Sequence, residues 1–145
     1  MNITRFGWLV LGLSLGAVGC SGSDDKDPEG TPSTMTDELE IIGEYTDQFD
    51  SDQIITADEW NGSAIKAFDN DENVVYTQFP EDDMFSPNLF AKTVYTEPES
   101  DSFYFCMVVF DAETLADAQA SDASADESDL AEGCGGFEWS LATKN

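Results

Sequence analysis

Between Phe103 and Phe110 the chain runs Phe-Tyr-Phe-Cys-Met-Val-Val-Phe, eight residues without a charge, a glycine or a proline. At the two-residue period of a strand both faces are apolar. Phe103, Phe105, Met107 and Val109 fall on one, Tyr104, Cys106, Val108 and Phe110 on the other. A strand wetted on one side alternates apolar with polar, so this run is expected to be covered on both sides, as the central strand of a small β domain.

The surrounding sequence supplies partners for it. Ile41 to Phe49, Ile54 to Trp60, Ser63 to Phe68, Asn73 to Phe79 and Leu89 to Thr96 read as further strands, separated by turn chemistry at short intervals. The turns are Asp50-Ser51-Asp52, Asn61-Gly62, Asp69-Asn70-Asp71-Glu72, the longer loop Pro80 to Pro87, and Glu97 to Asp101. Asn61-Gly62 is the strongest of these signals, because both residues tolerate positive φ. Short connections make sequential strands antiparallel neighbours, and six in a row either stack as two sheets or curl into a barrel, which removes exposed edges. A last strand, Phe137 to Leu141, would close the barrel by pairing with the first. Between the last two strands, Asp111 is a plausible N-cap for a short helix through Ala120, with Ala112, Leu115, Ala116 and Gln119 as its stripe. Ser121 to Asp129 reads as a solvated loop, and Gly133-Cys134-Gly135-Gly136 as a close approach of backbone to the sheet. The fold class is therefore all-β: an antiparallel meander closed as a small barrel or a two-sheet sandwich, with one short helix.

Charge narrows the function. The chain has 31 acids against five bases, a net charge of -26, and no histidine. Nucleic acid is excluded as a partner, since phosphate binding needs a basic patch. The commonest general base and transition-metal ligand is missing altogether. Extracytoplasmic proteins in salty surroundings carry such charge, because a Debye length of about 10 Å or less screens the self-repulsion.

The N-terminus gives an address. Arg5 precedes an apolar stretch, Phe6 to Val18, too short to span a membrane and read as the core of a signal peptide over residues 1–19. It ends in Ala17-Val18-Gly19-Cys20, which looks like a bacterial lipobox, whose cysteine carries lipid such as palmitate. More than one acyl chain on Cys20 converts marginal into stable anchoring, at about 0.8 kcal/mol per buried methylene. Residues 20–37 then form a Pro/Gly-rich acidic tether with nothing to bury, ahead of the β domain over residues 38–145. Ser21 after the cysteine is similar to the outer-membrane sorting signal of Gram-negative lipoproteins, so the expected location is the outer membrane, by lipid anchor. With Cys20 lipidated, two thiols remain in an oxidising compartment, and Cys106 and Cys134 are expected to pair.

Several segments together carry a resemblance: Ile42-Gly43-Glu44-Tyr45, Ile54 through Trp60, Tyr104-Phe105-Cys106, Phe110-Asp111-Ala112-Glu113-Thr114, and Gly133-Cys134-Gly135-Gly136-Phe137-Glu138-Trp139. In this order they resemble small, uncharacterised lipoproteins of Gram-negative bacteria, over most of residues 41–142. The resemblance implies an extracytoplasmic location and a paired Cys106 and Cys134, and no activity. The opening Ile-Gly-Glu-Tyr ahead of a meander is also similar to the start of lipocalin-like barrels, which implies a carrier of a small apolar ligand.

Site candidates are few. Asp69, Asp71 and Glu72 could offer oxygens to Ca²⁺, but they lack the glycine and distal glutamate of an EF-hand loop, and Asx residues are ordinary turn formers. Diffuse cation binding by the acidic surface is the broader expectation. Tyr45, Trp60, Tyr76, Phe90, Tyr104 and Trp139 could line a ligand cavity; in a barrel this small they are expected to fill the core instead. No two acids stand out as a catalytic pair, and no nucleophile motif is present. The expectation is a non-enzymatic module without a cofactor, binding a protein, a glycan or a small apolar ligand.

Overall fold

The structure, a computed structural model, describes residues 38–145. The signal peptide, Cys20 and the tether lie outside the described residues. Eight strands, each antiparallel to the next, close into a barrel in chain order. They are β1 Gly43–Asp47, β2 Asp52–Ile55, β3 Glu59–Trp60, β4 Ser63–Asp69, β5 Val74–Gln78, β6 Phe90–Tyr95, β7 Ser102–Ala112 and β8 Ser140–Lys144, with one helix, α1 Leu115–Ala120, before β8. Closure is by β1 against β8, with Tyr45 opposite Lys144 and Asp47 opposite Ala142. Of the two architectures the sequence allowed, the barrel is the one formed.

The turns follow their chemistry. Asn61 and Gly62 both take positive φ, 48° and 83°, in the hairpin between β3 and β4. Asp50 and Asn73 adopt the left-handed region in their own turns, where Asx residues are least penalised.

Several boundaries differ from expectation, each for a local reason. The strand expected over Ile54 to Trp60 is two strands, because the Thr56 hydroxyl accepts from the amides of Asp58 and Glu59 and folds the chain back. The helix is capped by Thr114, whose hydroxyl accepts from the Asp117 amide, and not by Asp111; β7 is still paired at Ala112, opposite Phe90. Its buried residue is Ala118, outside the expected stripe. The last strand starts at Ser140 because Cys134 and Phe137 form a bridge of their own, leaving Phe137 exposed.

β7 is not central, since a closed barrel has no central strand. Its two faces are covered only over the first half. Inside, Phe103 is buried at the hub of the core: Tyr45 meets it edge-on at 5.0 Å between ring centroids, Tyr95 at 6.2 Å and Trp60 at 6.4 Å. Such pairs contribute about 0.5–1.5 kcal/mol each beyond their buried area. Outside, Cys106 is buried beneath residues 113–139, a strap that crosses the outer face of β5, β6 and β7 through α1 and returns to β8. Along β7, β8 pairs with Ser102 to Phe105 alone, so the upper part of β7 runs past it, and Met107 and Phe110 are exposed.

The strap is held at several points. Cys134 is disulfide-bonded to Cys106. The Lys92 ammonium donates to the carbonyls of Ser121 and Ala123, both at 2.9 Å. The buried Trp139 donates its indole N–H to Asp126 O at 3.1 Å and its amide to Leu130 O at 2.9 Å. Gly133 makes a close approach, to the strap's own backbone rather than to the sheet. A Cβ there would lie 2.0 Å from Asp126 O and 2.3 Å from Asp129 O.

Candidate functional site: a barrel plugged at one end and open at the other

Alternating strand directions put the turns β2–β3, β4–β5 and β6–β7 at one end of the barrel, with the segment leading into β1. That end is closed. Leu39 and Ile41, the latter expected as the first residue of the first strand, precede β1 and lie buried in the core cluster with Ile55, Val75, Tyr95 and Phe103. Asn70 clasps the plug: its Nδ2 donates to Glu38 O at 3.0 Å, and its Oδ1 accepts from the Glu40 amide and from the Tyr95 hydroxyl. Burial, and then the neighbouring Glu40, Glu97 and Asp69 carboxylates, hold the Tyr95 phenol far above its ordinary pKa, so it stays a donor.

The opposite end is open. Above the aromatic hub lies a cavity of about 380 Å³. One wall is apolar, made by Trp60, Phe105 and Met107; the other carries the hydroxyl residues Ser63, Thr77 and Thr93. Register confirms that the threonines point inward. Thr93 is opposite the core residue Val75 on one side and Met107 on the other. Thr77 is opposite Ala91 and Ile65, the latter packed on the core. Phe79, Pro80 and Asp83 of the β5–β6 loop overhang the mouth.

The Trp60 side of the wall is fixed by one buried amide. Gln53 Oε1 accepts from the Trp60 indole N–H and from Asn61 Nδ2, both at 2.9 Å, and its Nε2 donates to Asp47 Oδ2 at 3.0 Å. A buried amide is tolerated only when its donors and acceptors are matched in this way. Burial raises the Asp47 pKa, but hydrogen bonds from the Ser51 and Phe49 amides and from Gln53 outweigh it and hold the carboxyl below its usual range.

The loop is similarly set. Asp83 Oδ1 accepts from the Phe85 amide at 2.9 Å and the Ser86 amide at 2.7 Å, and these two bonds depress its pKa. The adjacent Met84 and Phe85 are 85% and 87% exposed, and Phe49 in the β1–β2 turn and Phe110 at the top of β7 are also exposed. Apolar side chains thus stand around the same end at which the cavity opens.

The sequence-predicted aromatics separate into three groups. Tyr45 and Trp60 belong to the barrel core, and Trp60 also lines the cavity. Trp139 is buried at the end of the strap itself, outside the barrel. Tyr76, Phe90 and Tyr104 are half-buried on the outer face; they neither line the cavity nor join the core cluster. Tyr76 borders a cleft of about 440 Å³ between α1 and the outer face of the sheet, together with Asp69, Glu72 and Lys92. At the Ca²⁺ candidate, Asp69 Oδ1 accepts from the amides of Asp71 and Glu72, as in an ordinary Asx turn. Among the described residues no three acids or cysteines are grouped to hold a metal.

The class defined by this geometry is a closed eight-stranded antiparallel barrel, stoppered at one mouth and hollow at the other. Compared with known proteins, the chain matches no family model, no curated protein and no solved structure.

Proposed function

We propose that the chain is a lipid-anchored, extracytoplasmic binding module without catalytic activity, and that the hollow mouth of its barrel takes a small ligand with an apolar body. The cavity carries this reading: about 380 Å³, apolar on one wall and hydroxyl-lined on the other, above a packed aromatic floor. Small-molecule sites are concave, largely apolar, and polar at a few fixed points. The lipobox-like Ala17 to Cys20 and the tether that follows support the anchor. Titration with the neutral fluorophore N-phenyl-1-naphthylamine tests the binding. Saturable uptake that Thr93→Phe abolishes is expected, and uptake indifferent to that substitution would overturn the reading. For the anchor, Cys20→Ala is expected to leave the membrane fraction, and its retention there would refute it.

The exposed Met84, Phe85 and Phe49 favour a second reading, in which this rim docks on a protein or glycan. Replacing Met84 and Phe85 by serine would then abolish binding that Thr93→Phe leaves intact.

A further inference from the structure

Resting on the cavity reading above, we infer that the ligand of the barrel mouth is a small cation with an apolar or aromatic body, an amine or a quaternary ammonium, and that its anionic counterparts are rejected. Four observations carry this. Among the described residues Asp83 is the only charged one in the cavity wall, and both hydrogen bonds it receives from its loop fall on Oδ1. Among the described residues no lysine borders the cavity. Lys66 and Lys144 do not border the cavity, and Lys92 is outside the barrel, held by the Ser121 and Ala123 carbonyls. The loops and strand ends at the mouth add Asp50, Asp52, Glu81, Asp82, Asp111 and Glu113. The same cavity is lined by the aromatic side chains of Trp60 and Phe105, the kind of surface on which cations with apolar bodies settle.

The physics favours charge discrimination over mere attraction. A carboxylate entering this mouth would lose water and meet Asp83 with no cation to compensate. An ammonium group loses water too, but gains a carboxylate partner inside a field of one sign, which a cleft focuses. The neutral molecule of the same shape lies between them.

The test is an isosteric series, 1-naphthylmethylamine, 1-naphthylmethanol and 1-naphthoate, titrated calorimetrically into the domain at low and moderate NaCl. The amine is expected to bind at least about tenfold more tightly than the naphthoate, with a ratio that shrinks as salt screens the field. Asp83→Asn, which keeps an oxygen for the Phe85 and Ser86 amides, should weaken the amine severalfold and leave the alcohol unchanged. Naphthoate binding as tightly as the amine, with both abolished by Thr93→Phe, would overturn the charge preference while the cavity reading stands. Failure of all three to bind would overturn both. Amine binding that survives Thr93→Phe would place the cation on the acidic surface and refute the site.

Discussion

Removing the Cys106–Cys134 bridge should loosen the strap and lower the stability of the whole domain without opening the barrel. The two cysteines are 28 residues apart in sequence. In the chain-entropy model a loop of that length restricts the unfolded ensemble by about 3.6 kcal/mol at 25 °C. For a domain the size of residues 38–145, about 1 kcal/mol moves the melting temperature by roughly 4–5 °C, so the loss should read as about 15 °C. It is a large share of the 5–15 kcal/mol typical of whole proteins. The barrel interior does not depend on the bridge, because Cys106 faces the strap while Phe103 and Phe105 face inward. Nor does the strap hang on sulfur alone, given the Lys92 and Trp139 hydrogen bonds. The assay is thermal and urea denaturation of the oxidised protein, the reduced protein and the double variant Cys106→Ala/Cys134→Ala. Far-UV circular dichroism at 25 °C should be nearly unchanged in all three. A loss below about 1 kcal/mol would refute the loop-entropy argument. Collapse of the strand signal at 25 °C would refute the claim that the barrel stands without its strap.

Three further outcomes follow from the same geometry. Gly133→Ala forces a Cβ to within 2.3 Å of two carbonyl oxygens and should cost more in a thermal melt than Gly135→Ala, where the space is open and only the positive φ of 64° is strained, at about 1 kcal/mol. Ile41→Ala empties the fully buried plug and should cost about 2–5 kcal/mol by urea titration, near the top of the range if the void does not collapse. The folded-state pKa of Asp47 is depressed, so its contribution is present above the unfolded value near 3.8 and is lost as pH falls through the lower, folded one. Asp47→Asn should therefore flatten the dependence of the urea midpoint on pH below about pH 4, and an unchanged slope would sink the assignment.

Much of the fold was legible because turn chemistry is local. Asn61-Gly62 announces its hairpin by its own φ preferences, and short connections dictate the meander. Cysteine arithmetic needs only the compartment. What stayed hidden was which parity of each strand faces inward, because alternation has a period but no sign. In β5 and β6 the usual rule for assigning that sign holds for Val75, Tyr95 and Lys92 but inverts at other positions. Val74 and Tyr76, and Phe90 and Val94, lie on the outer face, whereas Thr77 and Thr93 point inside. Hydrophobicity alone would place Tyr76 in the core and Thr77 in water, hence the expectation that Tyr76 and Phe90 fill the interior. The inversion has two physical sources. The strap covers the outer face of these strands and makes apolar residues there favourable, and the run Phe103 to Phe110, apolar at both parities, is the sequence sign of a second covered face. The inner face at the mouth borders the cavity, which Thr77 and Thr93 line although each is only 3% exposed, so a small hydroxyl side chain takes the place that a bulky apolar one would fill. The two ends are thus closed differently, by the apolar Leu39 and Ile41 at one and by a cavity bordered by Thr77 and Thr93 at the other. Thr77 and Thr93, which hydrophobicity alone would not turn inward, line the cavity while Tyr76 and Phe90 do not, and for that reason Thr93→Phe is the substitution on which the proposed binding turns.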